Sequence, residues 1–392
     1  MGILEGITVI ELCEIYQGPL AGQTLGDFGA RVIKVERGPI GDPLRGGDFH
    51  ANAHGLMSSY FAATNRNKES ICLDLKSDAG REALRALAAR ADVLLHNYRP
   101  GVMEKLGFDF ESLAALNPRL IYAAASGYGE TGPWAGMAGQ DLLIQSLSGI
   151  ARKSALPGNP PERPNFLNVP MTDYCSGMLM VQGVLLALLE RQRSGRGQKV
   201  TISLFDSAVS MQSLEAASEL NYGQETRWFD RALNFAAQTR DGWITVLGFF
   251  RDNPLQLICK ALGLEDLSAT MQLPGAAEQM AAREAVAARL APSFLAFDPA
   301  DAVQRLQQVG VLAAPALEFR DTLALSQLRH NGMIREVPVE GQAAMKVIDH
   351  PLRLSRTPHE VRRGPARLGE HTREVLAELG YDEARTDAAS GR

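Results

Sequence analysis

Cysteine is scarce in this chain. Cys13, Cys72, Cys175 and Cys259 are the only four in 392 residues, and they stand far apart with no metal-ligand spacing. That excludes a disulfide framework and fits reduced thiols in a cytoplasmic protein. Basic runs are missing too. With a net charge of -5 and a pI of about 5.9, the chain makes a poor partner for nucleic acid. The start, Met1-Gly2-Ile3-Leu4-Glu5-Gly6, has no basic segment leading into an apolar one. It also lacks the Ser or Thr at position 6 that a myristoylation signal needs. The longest apolar stretch, around Met178 to Leu189, is broken by Gln182 and is too short to span a bilayer. A cytoplasmic protein with no membrane and no nucleic-acid partner is expected.

What is present is ordinary globular composition, 45% hydrophobic and 22% charged, and enough chain for two domains with their own cores. Ile7 to Leu12 reads as a β-branched strand, followed by a helical stretch to Phe28-Gly29 and a second strand over Arg31 to Glu36. That order is a Rossmann-like βαβ start. A nicotinamide site would need glycines at G-x-G-x-x-G in the first turn, and only Gly18 is in place, followed by Pro19. The alternation continues with strands over Ser70 to Leu75, Asp92 to Asn97 and Leu120 to Ala125, and helices over Ala79 to Ala91 and Phe110 to Leu116. The class is therefore α/β. In an open α/β sheet, ligands bind where the carboxyl ends of the strands emerge. Those ends are Tyr16-Gln17, Arg37, Lys76, Asn97-Tyr98-Arg99 and Gly127-Tyr128-Gly129. Arg37, Lys76, Arg99 and nearby Lys105 are the cations there that could meet phosphates, although each taken alone reads more readily as a solvated surface charge.

A Gly- and Pro-rich stretch, Ser148 to Asn168, leads to Val169-Pro170-Met171-Thr172-Asp173 and then to an apolar helix ending at Arg191, Arg193 and Gly195. Pro170 holds Val169 extended, which puts Asp173 at or near the N-cap, where free N–H groups favour a negative charge. Two readings stand at this point: a structural cap, and a carboxylate nucleophile. Cys175, two residues on, reads as a packed thiol ahead of a catalytic one. Beyond a strand over Gly197 to Phe205 and a helix over Ser207 to Leu220, residues 225 to 325 read as a smaller α+β domain. It begins with a hairpin that turns at Asp241-Gly242. A helix is expected over Thr372 to Leu379, and the last residues, Thr386 to Arg392, are expected to fray. Trp134, Trp228 and Phe249-Phe250 read as core residues ahead of an acyl pocket.

One set of short tags recurs in order along nearly the whole chain. It runs Gly18-Pro19, Leu25-Gly26-Asp27-Phe28-Gly29-Ala30, Val32-Ile33-Lys34-Val35-Glu36, Gly41-Asp42, Asn65-Arg66-Asn67-Lys68, Leu73-Asp74-Leu75-Lys76, Asn97-Tyr98-Arg99-Pro100-Gly101 and Ser126-Gly127-Tyr128-Gly129. Ala138-Gly139-Gln140-Asp141, Asp173 with Ser176-Gly177, Gly195-Arg196-Gly197-Gln198, Asp241-Gly242 and Leu368-Gly369-Glu370-His371 complete it. In these tags the chain resembles the family III CoA-transferases, the superfamily of formyl-CoA transferase, carnitine CoA-transferase and α-methylacyl-CoA racemase. The resemblance implies a Rossmann-like large domain over 1–220, completed by 326–392, with the smaller domain over 225–325 and an interlocked homodimer. It implies CoA transfer from an acyl-CoA to a free carboxylic acid, through an anhydride and then a CoA thioester on Asp173, with no cofactor or metal beyond CoA as substrate. Its CoA contacts would fall on Tyr16, Gln17, Arg37, Leu73, Asp74, Leu75, Lys76, Asn97, Tyr98, Arg99, Lys105, Gly139, Gln140 and Asp141. Lys105 stands where formyl-CoA transferase has Arg, a less specific phosphate donor.

Two departures bear on function. The racemases place a His immediately before the residue matching Asp141. Here it is Gln140, which cannot exchange a proton at neutral pH. That favours transfer over racemisation or isomerisation; a protein that only binds acyl-CoA is the third alternative. The glycine-rich loop of formyl-CoA transferase is also missing, since residues 222–240 hold only Gly223, so oxalate or formate specificity does not carry over.

Overall fold

The computed structural model describes residues 2–154 and 163–391. Its backbone divides into two compact units, one formed by Met1–Gln212 with Asn331–Arg392 and the other by Ser213–His330. The first is built on six parallel strands: β1 (Thr8–Leu12), β2 (Arg31–Glu36), β3 (Lys68–Cys72), β4 (Val93–His96), β5 (Ile121–Ser126) and β6 (Lys199–Ser203). They lie in the order β3-β2-β1-β4-β5-β6. This is the doubly wound arrangement that the βα alternation implied, with the chain reversing direction across the sheet between β1 and β4.

Parallel strands are buried on both faces, so their side chains split by parity. Ile10, Leu12, Ile33, Val35, Leu94 and Tyr122 enter one core, with Leu84 and Leu87 from α2 (Asp78–Ala88). Val9, Val32, Val93, Leu95 and Ile121 enter the other, with Leu25 from α1 (Gln17–Asp27). Glu11 and Lys34 share the parity of that second set and are fully buried. Each aliphatic side chain buried this way contributes about 1.5–3 kcal/mol; the charges of Glu11, Lys34 and Lys68 of β3, also buried in the sheet, are tolerated because they are matched.

Two more helices of this unit matter to the site: α3 (Asp141–Leu147) and α4 (Met171–Ser194). Among the described residues, α4 alone is long and apolar enough by length and composition to cross a membrane, being longer than the apolar stretch within it. In this fold it packs along α1, β5 and β6, and its Arg191 is buried and paired with Asp92. The helix begins at Met171, with Pro170 at the N-cap position and no side-chain cap of its own. Asp173 is therefore the third residue of the helix and does not cap it. Of the Gly- and Pro-rich stretch before it, Pro157-Gly158-Asn159-Pro160-Pro161 lies outside the described residues; Ile150–Lys153 forms one helical turn.

The second unit holds the antiparallel strands β7 (Asn234–Gln238), β8 (Trp243–Leu247) and β9 (Leu312–Pro315). Asp241-Gly242 lies at the β7–β8 turn as expected. The core combines Leu233, Ile244 and Val246 with α5 (Pro254–Leu262), α6 (Arg283–Phe294) and α7 (Pro299–Gln308). Trp228 and Phe250 are half or more exposed and do not pack in it. Trp134, in the first unit, stacks edge-on to Tyr128 and Phe205 at the surface.

After residue 330 the chain returns to the first unit with the hairpin β10 (Ile334–Val337) and β11 (Met345–Ile348), then α8 (Thr372–Glu378) and α9 (Glu383–Ser390). The expected fraying of the tail is overturned. Asp382 caps α9, and Ala389 packs into the core against α2.

Candidate functional site

The crevice at the carboxyl ends of β1 and β4 holds a cavity of about 350 Å³, lined by Glu14, Ile15, Tyr16, Gln17, Asn97, Tyr98, Arg99, Pro100, Ser126, Gly127, Met137, Gly139, Gln140, Asp173 and Leu204. Eight of the fifteen residues singled out in the sequence meet here: Tyr16, Gln17, Asn97, Tyr98, Arg99, Gly139, Gln140 and Asp173. A larger cavity of about 860 Å³ opens at the ends of β2 and β3, between Arg37, Gly38, Pro39, Cys72, Asp74, Lys76, Leu368, Ser390 and Gly391. It takes in Arg37, Asp74 and Lys76. Neither cavity is lined by Leu73, Leu75, Lys105 or Asp141. Leu73 is a core side chain, 1% exposed. Arg37 belongs to both neighbourhoods, since its charge acts on Glu14 and Tyr98 in the smaller cavity while it lines the larger one.

Several close approaches assemble the smaller cavity. A Cβ on Gly177 would come within 2.6 Å of the Gln17 carbonyl, so only glycine lets the start of α4 lie on the start of α1. The amide of Gln17 donates to the Ser176 hydroxyl across that contact. Gly127 and Gly139 touch in the same way, at 2.6 Å from a Cβ on Gly127 to the Gly139 Cα. That crossing brings the loop after β5 against the segment that enters α3. Gln140 lines the cavity and caps α3, its Oε1 accepting the Leu142 N–H at 3.2 Å.

Asp141 supplies the cap that α4 lacks. Its Oδ2 accepts the N–H of Thr172 at 2.8 Å, the hydroxyl of Thr172 at 2.6 Å and the N–H of Asp173 at 3.2 Å. Its Oδ1 accepts from Gln145 Nε2 at 2.6 Å, and Gln145 in turn grips both backbone groups of Leu167. A carboxylate from another helix thus satisfies the orphan donors of the first turn. It is buried, with both oxygens turned to the protein.

The Asp173 carboxylate has no hydrogen-bond or ion-pair partner among the described residues. Burial pushes its pKa up to about 7, and the negative charge of Asp141 pushes in the same direction. Tyr16 is raised as well, first by burial and then by Tyr174 and Asp173, so its hydroxyl stays protonated. Burial likewise raises Glu14, helped by Asp42, and Cys175. The site is a partly desolvated carboxylate at the floor of a crevice, with phenol, amide and guanidinium groups around it. Glu14 and Ile15 were not singled out in the sequence; their place directly after β1, at the reversal point of the sheet, was the available signal. Leu368 had only its place in the Leu368-Gly369-Glu370-His371 tag, and Ser390 and Gly391 had no such signal, since they reach the larger cavity by tertiary packing.

Residues 4–372 match the model of CoA-transferase family III. The chain is 33% identical to the succinate–glutarate CoA-transferase of Agrobacterium fabrum, over 96% of this chain and 95% of that one. It is 28% identical to the formyl-CoA:oxalate CoA-transferase of Escherichia coli O157:H7, over 97% and 96% of the two chains. Among solved structures, a CAIB/BAIF family protein from Brucella suis superposes with a TM-score of 0.85 at 32% identity, over 96% of this chain and 99% of the other.

Proposed function

The chain belongs to CoA-transferase family III, and from that premise we propose that it moves CoA between carboxylic acids through covalent intermediates on Asp173. CoA-transferase activity follows from the family and the named relatives; the route and the residues are this proposal. The observation that carries it is the unpartnered, partly buried carboxylate of Asp173 at the floor of the cavity, raised to about 7.

In this reaction an Asp173 oxygen attacks the thioester carbonyl of the donor. The C–S bond breaks, leaving a mixed anhydride and CoA thiolate. The thiolate then attacks the Asp173 acyl carbon and expels the donor acid as its carboxylate, which leaves an aspartyl-CoA thioester. The acceptor carboxylate repeats both steps in reverse and departs as its CoA ester, restoring Asp173. Attack by a carboxylate on a thioester is unfavourable because an ordinary carboxylate near pKa 3.9 leaves far more readily than a thiolate near 8.5. At about 7 most of that gap is closed, and anhydride and thioester can interconvert. Asp141 contributes by holding Thr172 and Asp173 in place and by its charge. Tyr16, Gln17, Asn97, Tyr98, Arg99, Gly139 and Gln140 would meet the thioester end of CoA. Arg37 and Lys76, which form no ion pair among the described residues, would meet its phosphates in the larger cavity.

Racemisation is disfavoured because Gln140, beside Asp173 in the cavity, carries no titratable proton. Succinate and glutarate are the first acids to screen, because the Agrobacterium relative bears that name. The interlocked homodimer and the cytoplasmic setting belong to the same proposal. Exposed Leu185, Leu186 and Leu189 on α4, with Leu142, Leu143 and Leu147 on α3, are what a partner would cover.

The test is intact-protein mass after mixing with succinyl-CoA, with hydroxylamine added to a parallel sample. A CoA-sized adduct, and a hydroxamate mapped to Asp173, are expected. Transfer of CoA with the label on any other residue would overturn the assignment.

A further inference from the structure

The turn that joins β1 to α1 has a backbone shape that its residues would not adopt by themselves. Ile15 sits at φ 70°, in the left-handed region that a β-branched residue enters only under constraint. The other non-glycine residues with positive φ among those described, Asn67, Phe250 and Gln272, are not β-branched. Ile15 is also 43% exposed, and it lines the Asp173 cavity between Glu14 and Tyr16. Such backbone strain persists only where the surroundings over-determine it.

The surroundings do so here. The Ile15 N–H donates to Asp42 Oδ1 at 3.2 Å, and that oxygen also accepts the Leu44 N–H at 2.9 Å. Lys34 Nζ donates to Asp42 Oδ2 at 2.9 Å, to Glu11 Oε1 at 3.0 Å and to the Cys13 carbonyl at 2.7 Å. From the other side, Asn97 accepts the Glu14 N–H at 3.0 Å and donates to the Glu14 carbonyl at 2.9 Å. The Cys13 carbonyl, both backbone groups of Glu14 and the Ile15 N–H are therefore all held by side chains from outside the turn. Asp42 and Lys34 are each 1% exposed and line no part of the cavity. Their buried charges have no place in the proposed chemistry.

We propose that Asp42, backed by Lys34, is a positioning residue for CoA transfer: it holds Ile15 in the left-handed conformation, so that Tyr16 and Gln17 begin α1 facing Asp173. The aliphatic side chain of Ile15 is thereby presented to the thioester end of CoA. This rests on the reading of Asp173 as the reacting carboxylate. It adds a residue that acts through the backbone of another and touches no substrate.

The experiment uses the full chain with Ile15→Gly, Ile15→Ala, Asp42→Asn and the double variant Ile15→Gly/Asp42→Asn. The readouts are melting temperature, and kcat and KM for succinyl-CoA with the best acceptor of the wild type. Glycine takes a positive φ without strain and alanine does not. Ile15→Gly is therefore expected to melt two degrees or more above Ile15→Ala. Asp42→Asn is expected to lower kcat at least tenfold with Ile at 15, but no more than threefold with Gly at 15, because glycine no longer needs to be held. Equal losses in the two backgrounds, the result of a merely structural Asp42, would overturn the proposal. So would an alanine variant that melts as high as the glycine one, since no strain would then remain for Asp42 to hold, and that outcome overturns the proposal even if Asp42→Asn does not fold. A wild type that transfers CoA to no acid tells against the Asp173 reading, while the melting pair still reports on the strain.

Discussion

Two carboxylate neighbourhoods lie within the first unit, and they are treated in opposite ways. Around Glu11 and Asp42 every charge is matched. Lys34 bridges the two, Lys68 Nζ lies 2.8 Å from Glu11 Oε2, and the four side chains are at most 2% exposed. Burial alone would lower Lys34, but Glu11 and Asp42 more than restore it; Lys68 settles at about 8, with burial outweighing the help of Glu11. At Asp173 the neighbour is another carboxylate, Asp141, and no cation among the described residues pairs with it. Matched charges hold a shape. A charge left unmatched stores reactivity, because its pKa rises toward the pH at which the protein works.

The comparison breaks most completely at Asp173. Asp173→Asn is expected to lower kcat by about a thousandfold or more, since no nucleophile remains, and steady-state turnover measures this. The same variant is expected to be the more stable protein at pH 8. Between the unfolded value of 3.8 and the folded value of about 7, the native state keeps a proton that the unfolded chain has lost. Wild-type stability therefore declines as pH rises through that window, and is lowest above it. Asparagine removes that decline. Melting curves should show the variant ahead at pH 8, with the gap narrowing toward pH 5.

The matched cluster should behave in the reverse sense. Lys34→Met leaves buried Asp42 without its cation and Glu11 with Lys68 alone, and breaking such a pair costs about 3–5 kcal/mol. Chemical denaturation should find this loss, and a variant as stable as the wild type would mean the cluster is solvated. The smallest effect sharpens the contrast at its other end. Asp141→Asn removes the like charge beside Asp173 while keeping an acceptor for the first turn of α4. The acid limb of kcat/KM, expected near pH 7 in the wild type, should move down by about one unit in the variant. An unmoved limb would leave burial as its sole cause.

Much of this was legible in the chain. The β2 span, Arg31–Glu36, and the Phe110–Leu116 helix coincide with their expected limits, because local periodicity decides them. The crevice followed from strand order, which brought Tyr16-Gln17 and Asn97-Tyr98-Arg99 together. What failed depended on partners distant in sequence. The local sequence places Asp173 only at or near the N-cap, because Pro170 favours an extended Val169. The helix instead begins at Met171, because Asp141, some thirty residues earlier, satisfies its first donors. The β10–β11 hairpin escaped because its strands are short and alternate weakly between buried and exposed positions. The tail looked frayed because its composition is polar, while Thr386 and Ala389 are buried and Ala389 packs with α2, some three hundred residues earlier.

That last contact has a temporal consequence. Strand β3 emerges early during synthesis, yet its backbone is completed by the end of the chain. Cys72 N–H donates to the Thr372 hydroxyl, 300 residues on, and the Asp74 N–H donates to the Ala389 carbonyl. Ser390 and Gly391 then form one wall of the larger cavity. A polypeptide grown only through Ser203 has every strand of the sheet but lacks that wall. The cavity at the ends of β2 and β3 is thus complete only once residues 390 and 391 have been made and have packed back onto a strand some three hundred residues earlier.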